Sequence, residues 1–73
     1  MSTRREIRAW MVRNVDRFVD RTCDVVNATK MVEAWDQEIG TGEETLDSEH
    51  VAWEVAIEVA GLEEKRLDRA VGS

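Results

Sequence analysis

The sequence predicts an all-α protein, a small three-helix bundle with a central, two-sided C-terminal helix. Three observations carry this. The chain contains no proline. Three stretches repeat apolar residues at three- and four-residue spacing, and each opens on a residue that caps helices well. The longest stretch, from Asp47 onward, is apolar over an arc too wide to face a single neighbour.

The first helix is expected over residues 3–21. Thr3-Arg4-Arg5-Glu6 has capping-box spacing, with Thr3 as cap and Glu6 reaching back. Ile7, Trp10, Met11, Val15, Phe18, Val19 and Thr22 then make one broad apolar face. Arg13, Arg17, Asp16 and Asp20 fall on the far side, with Glu6 and Ala9. These charges read either as a solvated face with intrahelical ion pairs or as a docking stripe for an acidic surface.

Cys23-Asp24-Val25-Val26-Asn27 breaks the helical pattern. Two β-branched residues before an asparagine suit a short extended link. Cys23 reads as a small core residue at the end of the first helix. Asn27 then caps a second helix over residues 28–39. Its stripe is Ala28, Met31 or Val32, Trp35 and Ile39, and Gly40 is expected in the left-handed conformation that ends helices. Gly40 to Asp47 (GTGEETLD) reads as the longest loop. It lacks the Lys-Ser/Thr of a phosphate cradle and the alternating ligands of a calcium loop.

The third helix is expected over residues 48–70, capped by Asp47 or Ser48. With Asp47 as cap, Leu46 and Val51 would form a hydrophobic staple. Val51, Val55, Val59 and Leu62 form one stripe, expected against the first helix. Trp53, Ile57 and Ala60 form a second. Ala52, Ala56 and Ala60 fill the space between, leaving a polar wedge of His50, Glu54, Glu58, Gly61 and Lys65. Such a helix has contacts on two sides: both other helices, or one helix and a second protein.

Residues 1–73 read as a single three-helix domain. The formal net charge is −6, but it is unevenly spread. Residues 1–22 carry six arginines and three acids; residues 23–73 carry four bases and thirteen acids. This argues against general nucleic-acid or anionic-membrane binding and lets a basic first helix lie against acidic neighbours. One cysteine and no apolar run of about 18 residues predict a cytoplasmic chain without a membrane segment.

No catalytic, cofactor or metal site is expected. His50 and Glu54 stand one turn apart, with Glu58 a turn on, but no HExxH or CxxC accompanies them. Cys23 has no local base, since His50 is the only histidine. The leading expectation is a small acidic protein-interaction module, a regulator or adaptor of the kind common in phages and prokaryotes, homodimeric through the third helix. Trp53, Ile57, Ala60, Ala56 and Trp35 would form the partner or dimer interface, and Arg13, Arg17, Glu54 and Glu58 a charged docking surface. Two alternatives stand beside it. One is a nucleic-acid mimic that inhibits a basic DNA- or RNA-binding protein. The other is a DNA-binding regulator using Arg4, Arg5 and Arg8.

Overall fold

The computed structural model describes residues 3–40 and 46–72, with side-chain surroundings for 3–40 and 47–69. The described chain is mostly helical, with a small two-stranded sheet. The elements are α1 (Arg4–Asn14), a 3-10 turn (Val15–Phe18), β1 (Val19–Asp20), β2 (Val25–Val26), α2 (Ala28–Glu38) and α3 (Leu46–Gly72).

Thr3 caps α1 as the sequence suggested. Its backbone is extended, its hydroxyl oxygen accepts from the Glu6 amide at 3.2 Å, and the hydroxyl donates to the Glu6 carboxylate. The helix does not reach residue 21; it stops at Asn14. There the Asn14 side-chain amide donates to the Trp10 carbonyl at 2.8 Å, the oxygen that the helical N–H of residue 14 would use. The chain tightens into the 3-10 turn and becomes extended at Val19 (φ −80°, ψ 126°). Val15 stays buried and Phe18 partly buried, so the apolar spacing survives after the α-helix has ended.

The link expected at 23–27 is one side of a hairpin. Val19 pairs with Val26 and Asp20 with Val25, antiparallel. The Asp20 carboxylate accepts from the Thr22 amide at 3.0 Å, and the Cys23 amide donates to the Asp20 carbonyl, closing the turn. Asp24 takes a left-handed conformation (φ 53°), which Asp tolerates better than most residues. Cys23 is exposed in this turn and is not a core residue. Thr22 is exposed as well.

Asn27 caps α2 by accepting from the Lys30 amide at 3.1 Å, and its own amide donates to the Phe18 carbonyl. Met31, Val32 and Trp35 are buried, while Ile39 lies past the last helical turn and is 42% exposed. Gly40 is not left-handed. It is required because a Cβ there would stand 2.2 Å from the Asp36 carbonyl oxygen. The loop expected over 40–47 falls mostly at 41–45, outside the described residues. Leu46, Asp47 and Ser48 already belong to α3, so neither Asp47 nor Ser48 is its cap and the staple geometry does not apply.

With 27 residues, α3 is about 40 Å long, which accounts for the 44 Å long dimension of the molecule. It packs against both α1 and α2, which touch each other less. Arg4 pairs with Glu54 and, one turn on, Arg8 with Glu58, so α1 and α3 run in the same direction. The Val26 amide donates to Glu64 at 3.0 Å while Asp36 lies near Glu49 and Trp53, so α2 runs the opposite way to α3.

The buried face of α3 is centred on Ala52, Ala56 and Ala60, at 0%, 0% and 6% exposure, with Val55 and Val59 beside them. Against these small residues pack Ile7, Trp10, Met11, Met31 and Trp35. Leu62, expected in the stripe facing the first helix, is 51% exposed. Leu62 lies about 120° round the helix from Ala56, at the margin of the buried face and not within it.

Two substitutions on α3 have opposite expected outcomes. Ala56→Leu forces a larger side chain into a fully buried site and should cost about 1–3 kcal/mol. A Cβ at Gly61 meets no atom within 4 Å, so Gly61→Ala should stabilise by roughly 0.5–1 kcal/mol through helix propensity alone. Thermal unfolding monitored by circular dichroism checks both.

Candidate interaction surface

The sequence singled out Trp53, Ile57, Ala60, Ala56 and Trp35 as one interface, but the fold divides them. Ala56, Ala60 and Trp35 are taken up by the chain's own core and offer no outward surface. The alanines lie at the centre of the buried face of α3, and Trp35 belongs to the same core cluster. Trp53 and Ile57 remain outside, one helical turn apart, at 40% and 61% exposure.

Trp53 stands at the edge of a groove of about 190 Å³ between α2 and α3. From α2 come Thr29, Val32, Glu33 and Asp36, whose spacing of three, four and seven residues puts them on one flank. From α3 come Glu49 and Trp53, four residues apart. Trp35 lines this groove and also a second one, between α1 and the end of α2. Its side chain is fully buried, and its indole N–H has no acceptor among the described residues. An unpaired buried donor costs roughly 1–3 kcal/mol.

The charges around the groove are distinctive for what they lack. Glu33, Asp36 and Glu49 are exposed and have no cationic partner among the described residues. Other carboxylates are paired. Arg4 donates to Glu54 at 2.9 Å, Arg8 stands 3.6 Å from Glu58, and Arg17 grips Glu38 with both terminal nitrogens, at 3.2 and 2.9 Å.

The four residues expected as a charged docking surface therefore do not act together. Glu54 and Glu58 lie on the seam between α1 and α3, paired with arginines of the same chain. Arg17 ties the end of the 3-10 turn to α2 and lies over the Phe18 ring at 5.2 Å. Arg13 lies on the exposed side of α1 with Arg5, Ala9 and Val12. For the DNA-binding alternative, two of the three named arginines, Arg4 and Arg8, already have carboxylate partners.

His50 Nε2 lies 3.5 Å from Glu54 Oε1, and no group of three His, Cys, Asp or Glu among the described residues is placed to hold a metal ion. The hairpin that carries Cys23 is bonded to α3 at Glu64, about 21 Å along the helix from His50, so the two do not form a thiol–imidazole pair. No helix among the described residues is long and apolar enough to cross a membrane.

Reading the sequence missed Glu33, Asp36 and Glu49. The spacing of Thr29, Glu33 and Asp36 and of Glu49 and Trp53 was visible. Their convergence depends on the pairing of α2 with α3, which spacing within one helix does not encode. Comparison of the chain with protein-family models, curated proteins and solved structures gives no match.

Two carboxylates are held below their usual range. The Arg17 hydrogen bond lowers Glu38 from 4.5, and the Thr22 hydroxyl and amide, with the Cys23 thiol, lower Asp20 from 3.8. A lowered acid contributes stability that is present above its ordinary value and lost as pH falls through its folded value. Unfolding midpoints should therefore drop below about pH 4.5, more steeply in the native chain than in a Glu38→Gln/Asp20→Asn variant. Denaturant titrations from pH 7 to pH 2.5 check this.

Proposed function

We propose that the protein is a non-enzymatic interaction module, a small regulator or adaptor, that docks a partner protein on the Trp53–Ile57 edge of α3. On this reading the fold is a three-helix bundle serving as a rigid mount for that edge. The observation that carries the reading is the exposure of these two large apolar side chains one turn apart, beside a preformed groove. Tryptophan is among the residues most enriched at interface hot spots. The exposed cysteine suits a reducing, cytoplasmic setting.

The two side chains offer on the order of 200 Å² of apolar surface, against roughly 800 Å² that each partner buries in a standard interface. A full interface would extend over the surrounding groups, and those are the unpaired carboxylates. The homodimer expected from the sequence would bring Glu33, Asp36 and Glu49 of two copies together, and like charges in contact disfavour a partner. A partner of different composition fits this edge better than a second copy.

Light scattering after size-exclusion chromatography should return 8.4 kDa at both low and high salt. A mass of twice that at both salts, lost on Trp53→Glu, would move the edge to self-association. Trp53→Glu and Ile57→Glu should preserve the helical circular-dichroism spectrum, because neither side chain belongs to the buried core, and should abolish co-purification of a partner. Retained binding by both folded variants would refute the edge.

A further inference from the structure

Resting on the reading just given, we infer that the groove between α2 and α3 seats an arginine side chain carried by a basic amphipathic segment of the partner, whose apolar residues cover Trp53 and Ile57. Two features of the groove converge on this chemistry.

The first is charge. Glu33 and Asp36 project from one flank of α2, and Glu49 faces them from α3. These carboxylates have no cation of their own among the described residues, while Glu54, Glu58 and Glu38 are paired. A guanidinium is planar and presents several donors at once, so it can bond carboxylates on two sides of a cleft. The second is the half-exposed Trp53 indole at the mouth, since arginine stacks on aromatic faces while bonding carboxylates at its edge.

The net charge favours the same occupant. At −6 the molecule attracts a basic partner from a distance and repels nucleic acid and its own copies. Among the described residues, Arg5, Arg8 (also 3.6 Å from Glu58) and Arg13 form a basic strip around Ala9 and Val12. That strip lies on α1 opposite the buried Ile7 and Met11, hence across the core from the groove. A second copy could present it only head to tail, against the repulsion of both chains.

The test is an NMR titration of ¹⁵N-labelled protein with a synthetic helical peptide. The peptide has leucine at alternating three- and four-residue spacing and arginines beside the leucines. Amide shifts should concentrate at Thr29, Glu33, Asp36 and Glu49 and at the indole N–H of Trp53. Binding should weaken about tenfold in Glu33→Gln/Asp36→Gln. It should change less than about twofold in Asp24→Asn/Asp68→Asn, which removes the same charge elsewhere. Circular dichroism confirms that both variants fold. Equal weakening in the two double variants, or shifts spread over the acidic surface, would overturn the inference. Equal binding of a peptide with glutamate in place of arginine would also overturn it, while leaving the apolar edge in place. If the peptide does not bind and the chain forms a stable pair through Trp53, the occupant is a second copy.

Discussion

Ala52, Ala56 and Ala60, with Val55 and Val59 beside them, make the buried face of α3 small, and the rest of the structure follows from how α1 and α2 close on it. The two facing helices are short, 11 residues each, too short to persist alone in water. They are held by what they bury. Because the alanines leave room, the facing side chains can be large: Trp10 and Met11 from α1, Met31 and Trp35 from α2. Bulk lies on the outer helices and smallness on the middle one. A core built this way offers few ways to shift, since a methylene added on α3 meets an aromatic ring on the other side.

The same packing sorts the charges. With α1 parallel to α3, its arginines at positions 4 and 8 lie beside glutamates at 54 and 58, and part of the positive charge of the first segment is met within the chain. These are exposed pairs and add little stability. Their larger effect is on what remains outside. Once Glu54, Glu58 and Glu38 have partners, the unsatisfied negative charge beside Trp53 collects where α2 meets α3. Part of the acidic composition thus lines one groove, while Glu54 and Glu58 are paired along the seam with α1 and Glu38 with Arg17 of the 3-10 turn.

Much of this was legible in the sequence, and the failures have physical causes. Thr3 and Asn27 were readable as caps because capping depends on a few adjacent residues. The two-sidedness of the last helix was readable from the width of its apolar arc. The end of α1 was not, because a 3-10 turn keeps Val15 and Phe18 turned inward at nearly the spacing an α-helix would use. The local signal at Asn14, a side chain that bonds the carbonyl four residues back, is a matter of geometry and not of residue type. The alanine row was read as filler between two large stripes. In the fold it is the centre of the buried face, and the stripes are its margins. That inversion is why Ala56, Ala60 and Trp35 were assigned to an outside surface and are inside. It is also why only Trp53 and Ile57 remain of the interface first read.

Position at a margin has a consequence for what those two residues can do. A tryptophan in the centre of a buried face is committed to the fold, and one on the far side of the helix would stand alone in solvent. Trp53 is between these cases. It lines the groove against α2 and is 40% exposed, so part of the indole packs against the fold and part is open. The neighbouring carboxylates act in the complementary direction. They add little to stability, they oppose pairing of like copies, and they favour a partner that brings positive charge. Affinity at such an edge would come from the open part of the indole, and selectivity from the unpaired acids around it.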